Sequence, residues 1–136
     1  MRKHRVLLVD DHSLVRLGLS ALIGCQKDFE VVGEAADGAE AVRIADKIKP
    51  DLVVMDLMMP GMDGVEATKR IRENDPSAKV LVLTTFGTSA DVARTVAAGA
   101  AGAVSLIGAA TLGASLRTTF RTPRTRSVIK PILAIS

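Results

Sequence analysis

Three carboxylates and a hydroxyl stand at the ends of short apolar runs, and these are the residue types best suited to chemistry in this chain. Asp10 and Asp11 follow RVLLV, Asp56 follows DLVVM, and Thr84 and Thr85 follow KVLVL. If the runs are neighbouring strands, the acids and the hydroxyl converge on one edge. Like charges held close repel one another, which raises a carboxyl pKa or destabilises the fold unless a cation compensates. Carboxylates with backbone carbonyls and water suit a hard divalent ion such as Mg2+. A carboxylate beside such an ion can act as a nucleophile toward a phosphoryl group, the cation neutralising charge on the equatorial oxygens. A hydroxyl on the next strand could donate to one of those oxygens. No glycine-rich phosphate loop and no Ser-His-Asp order competes with this chemistry.

The elements that must position these groups are legible as alternation. Arg5 to Val9, Glu30 to Ala35, Asp51 to Met55, Lys79 to Leu83 and Ala101 to Leu106 read as five strands, several near-continuously apolar as strands buried on both faces are. Between them, Leu14, Leu17, Gly18, Ala21, Leu22 and Cys25 recur at helical spacing after Ser13, a candidate N-cap. Ala41, Ala45 and Ile48 mark a second helix that Pro50 stops, and Ala67, Thr68 and Ile71 mark a third. Val92, Val96 and Ala97 mark a fourth, and Leu112, Leu116 and Phe120 a fifth. Five strand–helix alternations predict an α/β fold with right-handed crossovers and a mostly parallel sheet covered on both sides. In such sheets the ligand site lies beyond the carboxyl ends of the strands.

Composition narrows the class. A chain of 136 residues, 48% hydrophobic and 24% charged, suits one globular domain and excludes a disordered acidic tail, a collagen and a coiled-coil rod. Cys25 is the single cysteine, so no intrachain disulfide forms and a reducing cytoplasmic compartment is expected. The opening MRKHRVLLVDDH has too short an apolar run for a secretory signal. Residues 95–116 carry no charge, but their Ala and Gly content and four glycines argue against a membrane span. The net charge of +3 divides unevenly: residues 117–136 hold +5 and residues 1–116 hold −2. The basic character therefore belongs to the tail, and three Phe residues make no base-stacking platform on the body.

Taken together, the motifs resemble a known family. Asp10-Asp11 after RVLLV, the segment Asp56-Leu57-Met58-Met59-Pro60-Gly61-Met62-Asp63-Gly64, and VLVLTTF ending at Phe86 are similar to the receiver domain of bacterial two-component response regulators. The stretches VVGEAADGAEAV, KVLVLTTF and GAAGA are most similar to the NarL/FixJ (LuxR-type) branch, over roughly residues 4–121. The resemblance implies a flavodoxin-like (βα)5 doubly wound parallel sheet of strand order 2-1-3-4-5. It implies that Asp56 accepts phosphate from a sensor histidine kinase, in phosphorelay control of transcription. Asp10, Asp11 and Asp56 would hold Mg2+ with the Met58 backbone carbonyl, and Thr84 would be the switch hydroxyl. The sequence departs from the family pattern at Ala103, where a switch aromatic is usual, and at Leu106, where the family has a lysine; no lysine lies between Lys79 and Lys130. Losing that charge-assisted partner of the phosphoryl group, worth roughly 1.5–3 kcal/mol, predicts intact cation binding with weakened switching.

Two readings follow that differ in class. One is a phosphoacceptor rather than an enzyme; the other is a pseudo-receiver, an interaction or dimerisation module whose acidic pocket is not phosphorylated. A phosphohydrolase would need a second acid two residues beyond Asp56, where Met58 stands. The weakly charged fourth helix to fifth helix suggests a homodimer or partner surface through Val92, Val96, Ala103, Leu106, Ile107 and Leu112. Residues 1–121 read as the receiver and 122–136 as a basic tail or linker. A helix-turn-helix would need about 60 further residues, so contact with DNA would run through an output domain outside these 136 residues. His4 and His12 read as surface or supporting residues, Cys25 as a small core residue, and Met58, Met59 and Met62 as loop packing. Asp63-Gly64 reads as a turn opening the third helix, and Asp91 as favouring the first turn of the fourth.

Overall fold

The structure is a computed structural model that describes residues 3–84, 89–105 and 118–120, with side chains outside residues 84, 89, 92, 102–105 and 118–120. In chain order the elements are β1 (His4–Val9), α1 (Ser13–Gly24), β2 (Phe29–Ala35), α2 (Gly38–Ile48), β3 (Leu52–Asp56), α3 (Gly64–Asn74), β4 (Lys79–Thr84), α4 (Ser89–Ala97), β5 (Gly102–Ser105) and β6 (Thr118–Phe120). Period-2 burial on both sides explains the apolar runs. Leu7, Val9, Val53, Met55, Val80 and Val82 face one core with Ala41, Ala45, Ala67 and Ile71, so α2 and α3 cover that side. The alternate residues Val6, Leu8, Leu52, Val54 and Leu81 face a second core with Ile23 and Phe29, the α1 side. Each Val or Leu fully buried in this way contributes about 1.5–3 kcal/mol.

The strands order as β2-β1-β3-β4-β5-β6, which reproduces the expected 2-1-3-4-5 arrangement and adds one strand at the edge. β1 pairs in parallel with β2 and β3, β3 with β4, and β4 with β5. β6 is antiparallel to β5, with Phe120 opposite Gly102. Phe120 thus lies in a strand and not on a fifth helix: Thr118-Thr119-Phe120 is two β-branched residues and an aromatic, which suit a pleated edge better than a helix. Leu112 and Leu116, the other residues expected on that helix, lie outside the described residues.

Helix ends follow local chemistry. Asp37 and Asp63 cap α2 and α3, their carboxylates accepting from the amides of Glu40 at 2.8 Å and Glu66 at 2.9 Å. Asp63-Gly64 does open the third helix, and Asp91 lies in the first turn of α4. α2 stops at Ile48 with Lys49 in the left-handed region (φ 48), just before Pro50. α1 departs from expectation. Its N-cap is His12, with no side-chain cap, and not Ser13. Leu14, Leu17 and Leu22 are exposed and so is Cys25, whereas Ile23 is buried and Leu19 packs beside it. The helix is apolar on two sides, so spacing alone selects the wrong one; contact with Val6, Leu8 and Phe29 selects the other. Among the described side chains of α4, Thr95 is buried, Val96 half-buried and Ala97 exposed. Among the described residues no helix is long and apolar enough to cross a membrane.

Candidate functional site

β1 and β3 are adjacent and parallel, so their carboxyl ends open on the same edge of the sheet. Asp10 and Asp11 continue directly from β1, and Asp56 closes β3 opposite Leu83 of β4. One ligand atom from each of Asp10, Asp11, His12 and Asp56 lies within 4.8 Å of the others. The three expected acids are therefore brought together, and His12, read from sequence as a supporting residue, joins them. Thr84 ends β4 and pairs with Ser105, one residue past the partner of Asp56; its side chain is outside the described set.

The loop after β3 is held close to the site. Gly64 donates to the Leu57 carbonyl at 3.0 Å. A Cβ on Gly64 would collide with the Asp56 carbonyl oxygen and lie 2.9 Å from Leu57 Cα, so glycine is required where α3 begins under the site. The Met58 amide donates to Asp56 Oδ1 at 3.4 Å while the Met58 side chain is exposed. Met59 is buried in the core and Met62 packs against it, as loop packing requires.

Electrostatics at the cluster follow from crowding. Partial burial, together with the neighbouring Asp10 carboxylate, pushes the Asp56 carboxyl up to about 6, against the lowering effect of the Met58 amide. His12 Nδ1 lies 3.1 Å from Asp10 Oδ1 and 3.0 Å from Asp11 Oδ1, and the Asp10 contact raises the imidazole pKa. The Asp10 carboxylate also accepts from the His12 amide at 2.8 Å. Asp11 Oδ1 is buried and, beyond its ion pair with His12, makes no hydrogen bond among the described residues. A half-buried carboxyl raised by its neighbours and a buried Asp11 oxygen met by the His12 imidazole, within one cluster of hard oxygen donors, fit a small divalent cation.

A residue missed by sequence reasoning also reaches this loop. Arg16 Nη1 donates to the Asp10 carbonyl at 2.6 Å, and its Nε lies 3.5 Å from Glu34 Oε1. The available signal was an arginine four residues past His12, on the same side of a helix otherwise apolar there. Of the residues expected at a partner surface, Val96 is half-buried on α4 and Ala103 lies in β5. The Val92 side chain and Leu106, Ile107 and Leu112 lie outside the described residues.

Residues 6–105, from β1 to the last residue of β5, match the response regulator receiver domain family. The chain belongs to that family. The match ends at Ser105. The receiver is 55% identical over 82 residues to the transcriptional regulatory protein LiaR of Bacillus subtilis (strain 168), covering 60% of this chain and 39% of that protein. It is 52% identical over 95 residues to the response regulator protein VraR of Staphylococcus aureus (strain Mu3 / ATCC 700698), covering 70% of this chain and 46% of that protein. The chain thus spans less than half the length of these curated relatives. Among solved structures it is similar to a two-component response regulator of the LuxR family from Aurantimonas sp. SI85-9A1, with a TM-score of 0.75 and 37% identity. That alignment covers 98% of this chain and 84% of the other. These relatives place the receiver in the NarL/FixJ branch.

Proposed function

We propose that this receiver accepts a phosphoryl group from a sensor histidine kinase onto Asp56, with Mg2+ held by the carboxylates of Asp10, Asp11 and Asp56 and by the Met58 backbone carbonyl. The observation that carries the reading is the convergence of those three acids at the carboxyl ends of β1 and β3. When bound, the cation supplies positive charge that favours ionised Asp56 and offsets the charge of the phosphoryl oxygens. An Asp56 carboxylate oxygen forms the new O–P bond as the P–N bond to the kinase histidine breaks, and the imidazole departs with the bonding electron pair and takes up a proton. Thr84, on the adjacent strand, is the hydroxyl that reports the modification. The longer relative LiaR is a transcriptional regulatory protein, and the receiver is read as the input stage of such a protein.

A second reading is favoured by one sequence fact, the absence of any lysine between Lys79 and Lys130. Without that cation at position 106 the acidic cluster can persist in a module that works unphosphorylated. Intact-protein mass after incubation with Mg2+ and acetyl phosphate, with Asp56→Asn as the control, separates the two. The expected result is a phosphoryl adduct on the parent and none on the variant. A folded, Mg2+-binding parent without an adduct would overturn the phosphoacceptor reading in favour of the interaction module.

A further inference from the structure

We propose that Arg16 is a positioning residue for the acidic cluster, clamping the loop that carries Asp10 and Asp11 to the end of β2; the inference rests on the cation-binding reading above. Arg16 lies in the first turn of α1, on the side turned toward the sheet, in line with Leu19, Ser20 and Ile23. Its side chain is 20% exposed, and its Nε is sealed from solvent without a hydrogen bond among the described residues. A partly buried guanidinium in line with Leu19 and Ile23 carries a desolvation cost that an aliphatic side chain would not. The contacts show what it is held for. Nη1 donates to the Asp10 carbonyl at 2.6 Å, and the guanidinium faces Glu34, whose carboxylate is 3.5 Å from Nε. Glu34 precedes Ala35, and the Ala35 carbonyl accepts from the Asp10 amide at 3.1 Å.

Both flanks of Asp10 are therefore tied to the end of β2, the N–H directly and the C=O through Arg16 and Glu34. The next links close the loop on itself: the His12 amide donates to the Asp10 carboxylate, and the Arg16 amide donates to the His12 carbonyl at 3.1 Å. Asp10 and Asp11 are thereby held toward Asp56 before any cation arrives, which removes an ordering cost from binding. The planar guanidinium spans the Asp10 carbonyl, to which Nη1 donates, and the Glu34 carboxylate, with which Nε is ion-paired, whereas a lysine ammonium is a single point charge.

The sign of the effect separates positioning from simple charge. A guanidinium near the cluster repels Mg2+ through space, so on charge alone its removal tightens cation binding. Positioning requires the opposite. The test titrates Mg2+ into the parent, Arg16→Ala and Arg16→Lys, followed by amide NMR shifts because the chain has no Trp or Tyr to report by fluorescence. Hydrogen exchange of the Asp10 and His12 amides is measured on the same samples without metal. The expected result is Mg2+ affinity weaker by about 10-fold in both variants, with faster exchange at both amides. Arg16→Lys, which keeps the stem and the charge, retains a melting temperature close to the parent and keeps the test valid if Arg16→Ala does not fold. Unchanged or tighter Mg2+ binding overturns the proposal, whatever happens to the melting temperature. If the parent itself binds no Mg2+, the cation-binding reading fails and exchange alone decides: faster exchange in Arg16→Lys supports the clamp, and unchanged exchange overturns it.

Discussion

At the scale of residues, the cluster carries a stability cost that is tunable by pH. Asp56 titrates near 6 in the fold against an ordinary value of 3.8, so the folded state binds its proton more tightly than the unfolded chain does. Without metal, stability falls as pH rises from about 4 to about 6, and the loss is complete above that window. Asp56→Asn removes it. The expected gain at pH 7.5 is on the order of 1 kcal/mol, allowing for solvent screening of a group that is only partly buried. In paired urea melts of the two metal-free proteins this gap stays level above about pH 6 and narrows toward pH 4; a gap that widens on acidification would contradict the raised pKa. The acids themselves were legible in the sequence because each follows an apolar strand. His12 and Arg16 were not assigned to the site, since their roles depend on the path of the β1–α1 loop, which residue type does not specify.

At the scale of elements, the two faces of α1 make a sharp contrast. Ile23 is buried against Val6, Leu8 and Phe29, and Ile23→Ala is expected to cost about 2–5 kcal/mol. Leu14 is 78% exposed, and Leu14→Lys should change stability by no more than about 0.5 kcal/mol. Chemical denaturation of the two variants reads both values, and comparable losses would mean that the helix docks by the other face. Glycines divide in the same way. No described atom lies within 4 Å of a Cβ placed on Gly18 inside α1, so Gly18→Ala should stabilise by about 0.5–1 kcal/mol. Gly64→Ala forces a Cβ against the Asp56 backbone and should cost about 1–3 kcal/mol by overpacking, with the Asp56 amide shifted in NMR spectra. α2 and α3 were readable because Ala41 and Ala45 on one and Ala67 on the other fall at helical spacing, with Pro50 stopping the first and Asp63-Gly64 opening the second. α1 was not, because two apolar rows compete on one short helix.

At the scale of the whole molecule, the proposed cation site would link binding to folding through the acidic cluster of Asp10, Asp11 and Asp56. A cation that binds only the folded receiver stabilises it by about 2.7 kcal/mol at a hundredfold excess over Kd. Mg2+ is therefore expected to raise Tm, EDTA to reverse the rise, and Asp56→Asn to reduce it; a Tm indifferent to Mg2+ in the parent would argue against a cation site. The sequence by itself determined the five parallel strands, their alternation with helices and the edge on which Asp10, Asp11 and Asp56 meet. Those features are local: an apolar run long enough to cross a buried sheet, a cap, a proline, an acid just past a strand. Only the tertiary structure decided which side of α1 meets the sheet, that Thr118–Phe120 returns antiparallel beside β5, and that Arg16 joins Asp10 to Glu34. Each of these depends on contacts between segments distant in sequence. Such contacts follow from how the layers pack, and no period or motif within one segment encodes them.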